Sequence, residues 1–443
     1  VERQSTIIEQ ARLLSKEKGL ILDEDTNLLK EIVGLNEWPV PLIGKFDKSF
    51  LEIPEEVLIS AMRRHQKYFA TRDSKGNLAP YFVVVANIET ADSGSGIISG
   101  NERVLKARLS DARFFWELDL KVGLEKKITH LDSVVFQAQL GSVGDKVRRI
   151  KYSSKILCDF IEASDPNQAE RAAHLCKADL LTEMVSEFPD LQGIMGSYYA
   201  REAGEDEIIV RALAEHYRPQ GPSDFCPSNS ISIVISLADK LDTLVGFFAI
   251  NQKPTGSKDP FALRRSALGV IRLIVENKLR IPLTEVLSNI TSSYGELPES
   301  VNRKEVVLSL LEFFAERLKV HLKARGIRHD LISAVFAIGN EDDLIRLLAR
   351  VDALDSFLNT EDGANLLIAY RRATNILRIE ESKEGNSYLA KAEAKFLNES
   401  AEKELMEHIL LVSKRTDEAL INENFTDAML AMSALRNPVD RFF

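Results

Sequence analysis

From about residue 128 onward, apolar residues recur at three-and-four spacing almost without interruption, and this periodicity commits most of the chain to helices. The stretch from 237 to 265, LADKLDTLVGFFAINQKPTGSKDPFALRR, shows the pattern in one place. Leu237, Leu241, Leu244, Val245 and Phe248 mark one helix face, and Asp239 and Asp242 lie one turn apart on the same helix. Pro254, Gly256 and Pro260 then punctuate the chain, and Asp259 before Pro260 reads as an N-cap with proline at the first helical position. The helix that follows carries Arg264 and Arg265 in its second turn and sends Leu268, Ile271, Leu273 and Ile274 toward a core. The same spacing predicts helices over 146 to 161, 168 to 185, 189 to 203, 206 to 216, 303 to 325, 342 to 357, 363 to 379, 391 to 397, 401 to 416 and 424 to 434.

The first 125 residues read differently. An opening amphipathic helix precedes GLNEWPVPLIGKFDKSFLEIP, whose prolines and short apolar runs predict loops with brief strands. Pro54, Glu55 and Glu56 open a helix through His65, the two acids lying at the positive end of its dipole. After the turn DSKGN, Tyr81 to Ala86 reads as a buried strand, so this part is an α/β domain. ADSGSGIISGN is flexible by composition and leads into a helix from Glu102 to Leu118.

A chain of 443 residues holds two to four domains, and 45% hydrophobic with 28% charged residues is the composition of an ordinary soluble protein. Cys158, Cys176 and Cys226 are widely separated, which supports neither a disulfide framework nor a zinc knuckle, and a cytoplasmic setting is the default. No apolar run is long enough to cross a bilayer, and the N-terminal pattern is not a secretion signal. The chain begins at Val1 and ends within a motif, and is read as a fragment lacking both ends.

A formal charge of −10 argues against indiscriminate nucleic-acid binding, so any RNA contact is local. Residues 101 to 155 carry 12 Lys/Arg against 7 Asp/Glu, whereas 341 to 443 carry 13 against 20, which favours the middle of the chain. There, Arg103, Lys106 and Arg113 recur on roughly one side of a helix beside Phe114 and Phe115, as a phosphate-contacting stripe would, and as a solvated charged face would. Arg63, Arg64 and Lys67 beside Tyr68 and Phe69 form a second basic and aromatic candidate. PTGSKD lacks the full GxxxxGK[ST] pattern and follows no strand, so it is not a P-loop. A helix start at Pro260 offers free N–H groups to an anion, assisted by Lys258, Arg264 and Arg265; that anion is either an RNA phosphate or an acidic side chain of the chain itself.

Several segments carry a family resemblance. PTGSKDPFALRR after ADKLD, with MRRHQKYFA (62 to 70), RVLKARLSDARFFWELD (103 to 119), EFPDLQGIMGSYYA (187 to 200), ALAEHYRP (212 to 219), AYRRATNIL (369 to 377) and SALRNPVDRFF (433 to 443), resembles the beta subunit of the bacterial two-subunit glycyl-tRNA synthetase over nearly the whole chain. The resemblance implies a ligase whose alpha subunit binds ATP with Mg2+ and glycine and carries the active site. The beta subunit binds and positions tRNA(Gly) in an alpha2/beta2 heterotetramer, and the chain alone is neither catalytic nor a cofactor binder. In the middle region the order of polar residues resembles the HD superfamily of metal-dependent phosphohydrolases, with Asp179 at the His-Asp pair and Asp239 at the final Asp. Ala178 stands where the pair's histidine would be, and His174 and His216 do not fill it by spacing, so the positions are vestigial and no metal is expected. Asp239 and Asp242 are expected to pair with Lys240 or neighbouring arginines. AYRRATNIL and SALR resemble the helical DALR-type anticodon-binding domain, with Ser433 replacing its first aspartate; this carries over Arg371, Arg372 and Arg436 as RNA contacts.

The expected fold is therefore mainly α and multidomain: a mixed α/β domain at 1 to 125, an all-helical degenerate HD-like domain at 126 to 340, and a helical linker with a partial anticodon-binding-like domain at 341 to 443. Two other functions compete with the beta-subunit role, namely a divalent-metal phosphohydrolase and a helical interaction scaffold without RNA binding.

Overall fold

The computed structural model describes residues 2 to 295, 301 to 324, 326 to 337, 341 to 385, 387 to 388 and 392 to 443. The protein is mainly α and multidomain. It divides into two compact units, residues 1 to 218 with 227 to 242, and residues 219 to 226 with 243 to 443. The expected boundaries at 125 and 340 fall inside the first and second units respectively.

In the first unit a small antiparallel sheet is built from β1 (Ile21–Leu22), β2 (Val40–Lys45), β3 (Phe69–Arg72) and β4 (Leu78–Ala86), in the order β1-β3-β4-β2. Alternation along β4 sends Val83 to one face, where it joins Ile7, Ala11, Leu28, Leu29, Ile32 and Phe69 under helices Glu2–Glu17 and Thr26–Leu35. Phe82 points the other way, stacked on Tyr68 with ring centroids 4.6 Å apart. Its cross-strand partner is Gly44, where an added Cβ would come within 2.5 Å of the Phe82 ring; only glycine leaves room for that ring to lie across β2.

Helix Glu55–Ser60 continues as a π-helical turn, Ala61–Gln66, and ends at Lys67 in the left-handed region (φ 59°). This turns the chain so that the Tyr68 N–H reaches the Met62 carbonyl and β3 can start. The long helix Ser95–Val122 starts seven residues before the expected Glu102, within a segment expected to be loop. Glycine-rich composition is overridden there by capping: the Asp92 carboxylate accepts the Gly96 N–H at 2.7 Å and the Ser95 hydroxyl at 3.0 Å. Hydrogen bonds from Thr90, Gly96 and Ser95 hold that carboxyl far below the usual carboxylate range.

The helix expected over 168 to 185 is three pieces instead: Pro166–Leu175, a 3-10 turn Ala178–Leu181, and Glu183–Glu187. The break lets Lys177 and Asp179 turn inward, and the chain restarts because Asp119, from the long helix, accepts the N–H groups of Glu183 and Met184 at 3.1 and 3.0 Å. Gly193 (φ 79°) precedes helix Ile194–Glu202 with its N–H on Asp179.

In the second unit the helix expected at Pro260 begins at Leu263, after a tight turn in which Thr255 and Lys258 exchange backbone hydrogen bonds. The region expected as a helix over 391 to 397 forms only the 3-10 turn Ala394–Phe396, and Lys391 lies outside the described residues. Arg280 ties separate helices together, pairing with Asp343 at 2.5 Å and Glu423 at 2.7 Å. Among the described residues no helix is long and apolar enough to cross a membrane.

Candidate nucleic-acid interface

The most heavily charged part of the first unit's interior is assembled from four elements. Helix Val143–Cys158 places Lys146 and Arg149 one turn apart on its buried face, and helix Ser230–Ala249 does the same with Asp239 and Asp242. Lys177 enters from the break after Leu175, and His216 from the end of helix Glu207–Glu215. Lys146 Nζ lies 2.9 Å from Asp239 and 3.1 Å from Asp242, Arg149 Nε lies 2.7 Å from Asp242, and Lys177 Nζ lies 2.9 Å from Asp239. Each carboxylate therefore sits between two cations. Burial pushes the Asp239 carboxyl up, and Lys146 and Lys177 more than reverse this, holding it well below its ordinary value.

Lys177 also approaches His216 Nε2 at 3.0 Å and the face of the Tyr217 ring at 3.8 Å. His216 Nδ1 is 2.7 Å from the Leu213 carbonyl, so the ring donates from Nδ1 and accepts the ammonium proton at Nε2. Burial, reinforced by Lys177, keeps this imidazole neutral.

The expected pairing of Asp239 and Asp242 with Lys240 or neighbouring arginines is met at Arg149, which pairs with Asp242, and Lys146 and Lys177 join it; the Lys240 ammonium donates to the carbonyls of Tyr217 and Arg218 at 3.0 and 3.1 Å. Asp179 is held by backbone amides. Its carboxylate accepts the Gly193 and Gly196 N–H groups at 2.6 and 3.1 Å, and His174 lies apart beside Glu125. Among the described residues no group of three His, Cys, Asp or Glu side chains is gathered to hold a metal ion. The cationic partners of Asp239 are already two ammonium groups. Sequence reading missed Lys146, Arg149 and Lys177; the available signal was a pair of cations on the apolar stripe of an amphipathic helix.

Asp179 gives a pH test. Burial raises its carboxyl to about 6, against the amides of Gly193 and Gly196 that lower it, so the folded protein holds a proton there that the unfolded chain releases near the ordinary aspartate value of 3.8. Folding takes up a proton between those values, so this group's contribution falls as pH rises from about 4 to about 6. Asp179→Asn removes that titration. Relative to the parent it should gain up to about 3 kcal/mol between pH 4 and pH 7, read from urea midpoints across pH. A difference that stays constant with pH would refute the assignment. Contributions from His216 and Asp239 are common to both proteins and cancel.

The surface candidates separate by what they touch. Arg63 pairs with Asp25 at 2.8 Å, Arg64 with Asp190 at 2.9 Å, and Lys67 with Glu31 at 2.6 Å. Arg113 lies over the Phe50 ring at 4.5 Å with its Nη2 buried, and so braces a neighbouring turn. Arg264 donates to the Gly256 carbonyl at 2.7 Å, and the Asp259 carboxylate accepts the Leu263 and Arg264 N–H groups at 2.8 and 3.0 Å. The anion at that helix start is thus the chain's own aspartate. Arg372 reaches the Phe443 carbonyl and ring, and Arg436 lies 3.9 Å from Asp440. The side chains of Arg103, Lys106, Lys258, Arg265 and Arg371 make no ion pair or hydrogen bond among the described residues. Of these, Arg103 and Lys106 line a cleft of about 570 Å³ that also includes Lys45, Lys48 and Tyr81.

Helices packed on a small sheet, interior charges neutralised by one another and unpaired cations at a surface cleft describe a mainly helical multidomain protein. Residues 1–337 match the family described as "Glycyl-tRNA synthetase beta subunit". The chain is 49% identical over 446 aligned positions to the glycine–tRNA ligase beta subunit of Rhodospirillum centenum, 48% to that of Phenylobacterium zucineum and 46% to that of Cereibacter sphaeroides. Each alignment covers 100% of this chain and 62%, 63% and 64% of those relatives, so the chain spans just under two thirds of their length. The chain belongs to the glycyl-tRNA synthetase beta subunit family.

Proposed function

We propose that this chain acts as the beta subunit of glycine–tRNA ligase, binding tRNA(Gly) and positioning it for ATP-dependent glycylation at the active site of an alpha subunit, within an alpha2/beta2 assembly. ATP and Mg2+ belong to the partner, and this chain binds no cofactor. One observation carries the reading beyond family membership: the buried ionic residues are engaged with each other, while Arg103 and Lys106 remain unpaired at a surface cleft. Backbone phosphates would supply affinity through such cations, and holding the acceptor end in register would lower the barrier at the partner's site.

The test is a titration of the chain, with and without the alpha subunit, against tRNA(Gly) and a non-cognate tRNA at two salt concentrations. Preferential binding that weakens steeply with salt is expected. Absence of binding to either tRNA, with the partner present, would overturn the tRNA role and leave the interaction-scaffold function in its place.

A further inference from the structure

We infer that the cleft between the β2 end and helix Ser95–Val122 is a phosphodiester site for the sugar–phosphate backbone of RNA, with Lys45 and Lys48 acting beside Arg103 and Lys106. This rests on the tRNA-binding role above and assigns it a place. The four cations come from three elements: Lys45 from the last position of β2, Lys48 from the 3-10 turn Lys48–Glu52, and Arg103 and Lys106 from consecutive turns of the long helix. None makes an ion pair among the described residues. Most other basic groups considered above are satisfied by a carboxylate or a carbonyl.

The cleft's two carboxylates are turned to the backbone. Glu102 accepts the Lys45 N–H at 2.9 Å, and Asp47 accepts the Ser49 N–H at 2.9 Å. Those hydrogen bonds from Ser49, with Lys106 and Arg113 nearby, keep Asp47 below the usual carboxylate range, so it stays ionised and the lining has a formal excess of two positive charges. Like charges gathered around a concave surface repel one another, and an anion in the cleft relieves that repulsion. The site is also held rigid. Phe50 is buried at 4% exposure and Arg113 stacks on it, which fixes the turn that carries Lys48. Half-buried Tyr81 adds an aromatic surface on which a ribose or base can rest.

The experiment measures tRNA affinity and its salt dependence for the full chain carrying Lys48→Glu, Lys106→Glu, or both, alongside Asp47→Asn. Each Lys→Glu change is expected to weaken binding about three- to tenfold and to lower the log–log salt slope by about 1. Asp47→Asn keeps the turn's capping oxygen while removing a negative charge, and should tighten binding about threefold, a gain that misfolding cannot produce. Inorganic phosphate at matched ionic strength is expected not to displace the RNA; displacement would assign the cleft to a small anion and overturn the inference. Parent-like affinity and slope in the charge reversals would also overturn it while leaving the tRNA role standing. Loss of alpha-subunit binding with tRNA binding intact would give the cleft to an acidic protein surface instead. A parent chain that binds no tRNA would remove both.

Discussion

Asp242→Ala should destabilise the first unit by about 3–5 kcal/mol, because it leaves Lys146 and Arg149 buried without one of their anions. Asp242 is fully buried, and both of its carboxylate oxygens are engaged by cations. The ion cluster is a poor source of net stability, since desolvating its members cancels most of their attraction. Breaking it is another matter: the unpaired charges remain in a low-dielectric interior that cannot reorganise around them. Arg149→Met in the Asp242→Ala background is therefore expected to recover part of the loss. Both tryptophans, Trp38 and Trp116, lie in the first unit, and Trp116 stacks on Tyr199 at 5.0 Å, so tryptophan fluorescence in urea follows that unit alone. A midpoint for Asp242→Ala equal to the parent's would show that the centre does not hold the unit together.

A comparable loss, about 3 kcal/mol, is expected for Asp119→Ala. This carboxylate is buried near the end of the long helix and accepts from four donors: the Glu183 and Met184 N–H groups, the Tyr199 hydroxyl at 3.1 Å, and Lys127 at 3.4 Å. From 64 residues away it adds to the own N-cap of helix Glu183–Glu187, Thr182, which accepts the Val185 N–H. Alanine leaves two helix-start amides and a hydroxyl without their acceptor and removes the counter-ion of Lys127, whose ammonium still donates to the Leu181 carbonyl at 2.8 Å. Asp119→Asn retains one carbonyl oxygen and should lose less. Identical urea midpoints for the two variants would mean that acceptor geometry, rather than loss of the acceptor, sets the effect.

Much of the helical architecture was legible because apolar periodicity is a local property. The helices over Val143–Cys158, Glu207–Glu215 and Arg303–Ala324 lie close to where the spacing puts them. Errors fell where a hydrogen bond outside the apolar spacing supplied the deciding interaction, either from a few positions away or from another element. The helix from Ser95 could not be read from a glycine-rich segment without knowing that Asp92 turns back to cap it. The break between Leu175 and Glu183 depends on Asp119 and on the inward turn of Lys177.

The candidate site followed the same division. Arg103 and Lys106 were visible as cations on one side of a helix, but so were Arg63, Arg64 and Lys67, and residue type alone ranks them equally. What separates them is whether an acid from another element stands within reach, as Asp25, Asp190 and Glu31 do for the latter three. Lys45 and Lys48 carried no helical stripe to mark them, because they belong to a strand end and a turn.

By itself, then, the sequence determined the mainly α architecture, the family, and the pool of basic residues from which an RNA surface could be drawn. Those follow from spacing and residue identity, which act within a few turns of chain. Only the tertiary structure decided which charges neutralise each other in the interior and which remain free at the cleft. Charge pairing depends on contact distances within 4 Å between residues that here lie up to 143 positions apart, and no local pattern encodes such distances.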